Sequence, residues 1–161
     1  MQSIGGMLEL RRRVCYSAFK EYLSRTGFKV YPREFDCGSS KHPLVDIAAR
    51  TGSFFWAFEY KSESDSVSRG LEQVECYSRW FDYVVLVSER CFNQARSRCF
   101  WELRAGGVGI WTYLPSKNEC IERKNPRLQM PEKERRNLVA RRFRALDRYS
   151  SKSGVQANLD F

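Results

Sequence analysis

Apolar residues recur at positions 8, 15, 19, 22 and 23, with 14 and 18 beside them. This is the rhythm of an amphipathic helix, and it predicts one from Met7 to Arg25 closed by Gly27. "FKVY" (28 to 31) reads as a short strand, followed by a loop rich in Gly, Ser and Pro from Pro32 to Pro43. "LVDIAAR" (44 to 50) and "SFFWAFEYKS" (53 to 62) are strand-like and are separated by Thr51-Gly52, which predicts a tight hairpin. A second helix is expected over 68 to 81, and "DYVVLVS" (82 to 88) has the apolar density of a buried strand. A third helix over 89 to 104 stops at Gly106-Gly107, a strand covers 107 to 114, and a basic helix covers 131 to 148. From Ser150 the tail is polar and expected to fray. The order of elements specifies an α/β sandwich with a mixed sheet.

The hairpin carries three charges, and its register decides whether they meet. If the turn is Thr51-Gly52, Arg50 faces Ser53 and Asp46 faces Ala57. Side chains alternate between faces, so Phe55, Ala57, Glu59 and Lys61 share a face with Asp46. Glu59 is then a diagonal neighbour of Asp46, roughly 7 to 8 Å away, and Lys61 lies one step beyond. Phe54, Trp56, Phe58 and Tyr60 make the opposite face wholly aromatic, which marks it as core. An odd loop would send Asp46 to the other side, so the arrangement requires an even one.

The chain has 161 residues, enough for one domain of ordinary size, and 42% hydrophobic with 14% aromatic residues suffice for its core. Twenty-eight Lys plus Arg against nineteen Asp plus Glu leave a net charge of +9, with a pI near 9.5. That surplus favours a polyanionic partner, either nucleic acid or an acidic membrane surface. Residues 127 to 148 hold eight basic side chains against three acidic ones, a surplus that suits contact with a nucleic-acid backbone. The apolar face of that helix is too small for firm membrane insertion. No apolar run approaches the roughly 18 residues of a spanning helix, and the N-terminus lacks a signal peptide's apolar core. A soluble intracellular protein of cytoplasm or nucleoid, without a membrane partner, is the resulting expectation.

Other chemistries are poorly supplied. Six scattered cysteines contain no C-x-x-C pair and read as free structural thiols. One histidine, His42, leaves a Cys/His metal site or a histidine-driven triad without partners. Gly106-Gly107-x-Gly109 leads into a strand instead of a helix, so it is not a phosphate-cradling loop. No small-molecule cofactor is implied.

Two carboxylates on a partly buried sheet repel each other and lose solvation, and a divalent cation removes that cost while supplying what phosphodiester hydrolysis needs. Hard oxygen ligands select Mg²⁺ or Mn²⁺. A neighbouring ammonium can steady an attacking water or offset charge developing on phosphate.

Asp46 followed by Glu59-Tyr60-Lys61 resembles the motif of the PD-(D/E)XK nuclease superfamily, which includes type II restriction enzymes, archaeal Holliday-junction resolvases, and RecB-like and Mrr-like nucleases. The order of elements over about 7 to 114 is similar as well, although Val45 stands where the motif has proline. The resemblance implies a restriction-endonuclease-like three-layer sandwich, with a central mixed sheet flanked by helices and a basic C-terminal helix added. It implies that Asp46 and Glu59 bind metal, that the Tyr60 carbonyl can be a third ligand, and that Lys61 is the catalytic lysine.

Arg69, Gln73 and Tyr77 share one helical face, and Gln73-x-x-x-Tyr77 is similar to the motif that RecB-like members carry after Glu-x-Lys. Gln73 is thereby expected to orient water or phosphate, and a glutamate of the first helix, Glu9 ahead of Glu21, to face the metal. Arg69, Tyr77 and, on the basic helix, Arg135, Arg136, Arg141 and Arg142 are the expected nucleic-acid contacts. Residues 1–125 form the expected nuclease-like core, 126–150 a basic helical extension and 151–161 a tail. The function expected is a Mg²⁺- or Mn²⁺-dependent deoxyribonuclease, with a homodimer suited to cutting two strands. A noncatalytic DNA-binding or assembly module that keeps the fold is the alternative.

Overall fold

A computed structural model describes residues 4–37, 44–63, 65–89 and 106–153. Helix α1, Ile4–Arg25, buries Cys15, Phe19 and Leu23, one residue per turn on a single stripe. It ends where the Phe28 amide donates back to the Leu23 carbonyl at 3.0 Å around Gly27, whose φ of 96° only glycine adopts freely. Strands β1 (Lys29–Val30), β2 (Ile47–Thr51) and β3 (Phe54–Lys61) follow, then helix α2 (Val67–Tyr77) and strand β4 (Tyr83–Ser88). Strands β5 (Gly109–Leu114) and β6 (Glu119–Lys124) precede helix α3, Lys133–Ser153. The helix expected over 89 to 104 falls almost wholly outside the described residues, as does His42.

The six strands lie in sequence order in one mixed sheet, β1-β2-β3-β4-β5-β6. Pairs β3·β4 and β4·β5 are parallel and the others antiparallel. Helix α1 covers one face and helices α2 and α3 the other, an α/β three-layer sandwich around a mixed sheet.

Four details correct the sequence reading. Strand β6 was not anticipated; it is an edge strand whose charged, weakly alternating "ECIERK" carries little pattern. Helix α2 stops at Tyr77, and residues 78–80 turn instead of continuing it. Helix α3 is a packed layer, with Val139 and Phe143 fully buried against the sheet. The aromatic face of β3 is core only in its second half: Phe58 and Tyr60 are buried under α1, Trp56 is half-buried and Phe54 is exposed.

The hairpin register is also corrected. Thr51 pairs with Phe54 and Ile47 with Phe58, so the loop is Gly52-Ser53. Gly52 has φ 55°, the conformation a II′-type hairpin asks of its first loop residue. The pairing moves by two residues, parity survives, and one further step of the register sets Asp46 directly across from Glu59.

Candidate active site

Glu59 and Lys61 stand in the last turn of the pleat of β3, on the face covered by α2. Glu59 is 1% exposed and Lys61 8%, so neither is an ordinary solvated surface charge. The Lys61 ammonium donates to Glu59 Oε1 and, at 3.1 Å, to Gln73 Oε1. The Tyr77 hydroxyl lies 2.8 Å from Glu59 Oε2 and 2.8 Å from the Leu44 carbonyl. Helix α2 therefore fixes both charged ends, with Gln73 holding the lysine and Tyr77 the glutamate. Gly70, one turn before Gln73, makes room for this: a Cβ there would stand 2.9 Å from both Lys61 Cε and Leu86 Cδ1.

Asp46 sits at the bend just before β2, half-buried. Its Oδ2 accepts the Tyr60 amide at 3.0 Å, and its backbone carbonyl accepts the Tyr16 hydroxyl of α1. Within a strand residue, N–H and C=O point to the same edge, so the Tyr60 carbonyl is directed toward the Asp46 side too. The Tyr60 side chain passes to the other face, where its hydroxyl donates to buried Glu89 at 2.8 Å.

Burial and proximity act together on the acids. Burial, then the charge of Asp46, pushes Glu59 up to about 7, against the opposing hold of Lys61 and Tyr77. Burial also raises Asp46, partly offset by the Tyr60 amide and by Lys61. With both carboxylates ionised, Lys61 balances one charge and leaves a net of one negative charge inside the site. That surplus, with two carboxylates and a carbonyl on one edge, fits a hard divalent cation. Among the described residues no group of three His, Cys, Asp or Glu side chains converges as a ready-made cage.

Asp46 opens into a cleft of about 210 Å³ lined by Glu9, Arg12, Arg13, Tyr16, Glu34, Asp46 and Tyr60. Glu9 thus borders the cleft beside Asp46, although it is exposed and paired with Arg13 at 3.1 Å. Glu21 lies in a different hollow, beside Lys20 and Tyr31. Tyr16, Glu34 and Gly70 were not anticipated. The signal for Gly70 was a glycine in the middle of an amphipathic helix, while Tyr16 and Glu34 carry no signal beyond their residue type.

The expected nucleic-acid contacts divide. Arg69 and Arg141 are exposed. Tyr77 is buried, 1% exposed, and holds Glu59, so it cannot touch a polymer. Arg136 is committed to Asp82 through two bonds of 2.6 and 3.1 Å and to the Ser53 carbonyl at 3.0 Å. Arg135 pairs with Glu132 at 2.7 Å and stacks on Trp80, and Arg142 stacks on Phe35. No helix among the described residues is long and apolar enough to cross a membrane.

No curated protein matches the chain in sequence. Solved structures share its fold, among them the following two. One is a protein of unknown function from Silicibacter pomeroyi, 16% identical with a TM-score of 0.57 over 87% of this chain and 90% of that one. The other is an XisH family protein from Nostoc punctiforme, 18% identical with a TM-score of 0.50 over 70% of this chain and 99% of that one. At these identities the likeness is one of fold alone. Residues 32–142 match the model of the bacteriophage P4 protein cII family, a span that holds Asp46, Glu59, Lys61, Gln73 and Tyr77 and well over half the sequence. The chain belongs to the bacteriophage P4 protein cII family.

Proposed function

We propose that the protein is a metal-dependent nuclease that hydrolyses DNA phosphodiester bonds, with a site of the PD-(D/E)XK type. The observation that carries this reading is the meeting of Asp46, Glu59 and Lys61 at paired strand ends, with Gln73 and Tyr77 fixing the latter two. Asp46, Glu59 and the Tyr60 carbonyl would hold the cation, with Glu9 at the rim of the cleft. Bound there, Mg²⁺ or Mn²⁺ supplies a Lewis acid for the phosphodiester and acidifies water. Lys61, steadied by Gln73, orients the attacking water and offsets charge developing on the phosphate. Burial of Glu59 and Lys61 keeps bulk water from screening that interaction. The protein acts in this reading inside the cell, in cytoplasm or nucleoid, with DNA as substrate.

A second reading, a noncatalytic nucleic-acid-binding or assembly module, is favoured by one observation: both Glu59 oxygens already have partners in Lys61 and Tyr77. Plasmid nicking in Mg²⁺ or Mn²⁺ separates the two. Wild type should nick, and Lys61→Ala and Asp46→Ala should not; a folded wild type that binds plasmid and never cuts it establishes the module.

A further inference from the structure

The cleft beside Asp46 is walled by the N-terminal half of α1, which carries Arg11, Arg12 and Arg13 in succession. We propose that this half-helix is the nucleic-acid interface, with Arg12 and Arg13 seating backbone phosphates of the strand that lies over Asp46. The proposal rests on the nuclease reading and names the surface that presents the substrate to that site.

Arg12 and Arg13 both line the cleft, with side chains 49% and 76% exposed. Their present partners are weak: Arg12 stands 3.7 Å from Asp65, and Arg13 meets exposed Glu9 at 3.1 Å. Exposed pairs of this kind exchange readily for a phosphate. Arg11 is turned aside, toward Glu63 at 3.1 Å and Glu89 at 3.9 Å. Helix α1 is also held in register with the acids, since Tyr16, one turn beyond Arg12, donates to the Asp46 carbonyl. On α3, by contrast, Arg135, Arg136 and Arg142 are engaged in packing. Among the described residues, the arginines that line the cleft beside Asp46 come from the first helix and not from the last.

An anionic membrane is the competing partner, because Met7, Leu8, Leu10 and Val14 are exposed on the same half-helix. A concave cleft floored by a carboxylate favours a polymer that can enter it over a flat bilayer.

The test is titration of a short fluorescein-labelled duplex with the full chain in EDTA over a series of salt concentrations, so that binding is read without turnover. Arg12→Gln/Arg13→Gln should reduce the slope of log Kobs against log[salt] by about 1.8, from about 0.9 per phosphate contact. Arg12→Lys/Arg13→Lys should restore the slope, and Arg144→Gln/Arg148→Gln, exposed on α3, should leave it unchanged. The proposal is overturned if the slope survives in the α1 glutamine variant or if the α3 variant takes the loss. It is equally overturned if wild type ignores the duplex while binding phosphatidylserine vesicles through Arg12 and Arg13. A chain that loses the slope as expected but never nicks plasmid keeps this interface and discards the nuclease; one that nicks with an unchanged slope does the reverse.

Discussion

The Tyr77 hydroxyl lies 2.8 Å from Oε2 of Glu59, inside the protein, where neither residue meets bulk water. This contact is one of the forces that hold down the glutamate's proton affinity. Tyr77→Phe should therefore cost about 1 to 3 kcal/mol in denaturant unfolding, the usual penalty for a buried acceptor left unsatisfied. It should also displace the pH dependence of nicking to higher pH, because Glu59 loses a donor that favours its ionised form. An unmoved pH profile would mean that Glu59 does not govern activity.

Glu59 ionises near 7 in the folded chain, whereas its ordinary value is 4.5. The folded state then binds more protons than the unfolded state between those values, so stability falls as pH rises through the interval and levels off above it. Each unit of difference is worth about 1.4 kcal/mol. Chemical denaturation from pH 4.5 to 7.5 should show this downward slope, and Glu59→Gln should remove most of it. Asp46, also raised by burial, adds in the same direction.

Cation binding should reverse that loss. An ion held by ionised Asp46 and Glu59 stabilises the fold by about 2.7 kcal/mol at a hundredfold excess over its Kd. The gain should be larger at pH 7.5 than at pH 5, because protons compete at the lower pH. Thermal unfolding with and without Mn²⁺ reads the effect, and Asp46→Asn, which can still accept the Tyr60 amide, should abolish it while keeping the fold.

Gly70 fits under Lys61 only because it has no side chain. Gly70→Ala brings a methyl to 2.9 Å from Lys61 Cε and Leu86 Cδ1. Overpacking of this kind costs about 1 to 3 kcal/mol, set against a gain of roughly 1 kcal/mol in helix propensity. The expected result is a small change in unfolding free energy and a large loss of nicking as the lysine is displaced from Gln73. Equal losses of stability and activity would argue against a specific role for the lysine's position.

Arg136 is a structural tie. It faces Asp82, which is 4% exposed and also accepts the Phe55 amide at 2.8 Å. Arg136→Ala strands that carboxylate and should destabilise the chain by about 3 kcal/mol, at the lower end for a broken buried pair because the arginine is partly exposed. Asp82→Asn should recover part of the loss in the double variant, measured by denaturant unfolding.

The acids and the lysine were legible because side-chain alternation carries parity, and parity survived a two-residue error in register. The error came from the turn: both favoured two-residue hairpin turns need a positive φ at their first loop residue, which β-branched Thr51 resists and Gly52 adopts, so the loop is Gly52-Ser53. Tyr77 was misread as a polymer contact because helical periodicity shows which residues share a face but not how deeply that face is covered. The same limit made α3 look like a basic extension, since only two of its apolar residues, Val139 and Phe143, are fully buried, with Leu138 and Ala140 packed beside them. Strand β6 was illegible because an edge strand needs little hydrophobic alternation.

The docking of α3 also bears on synthesis. Arg136, Val139 and Phe143 are among the last residues of the fold to be made, yet they sit against the hairpin strand that carries Glu59 and Lys61. Because α3 is made after every strand it packs on, that face of the sheet stays incompletely covered, and the hairpin unsealed, until α3 has left the ribosome.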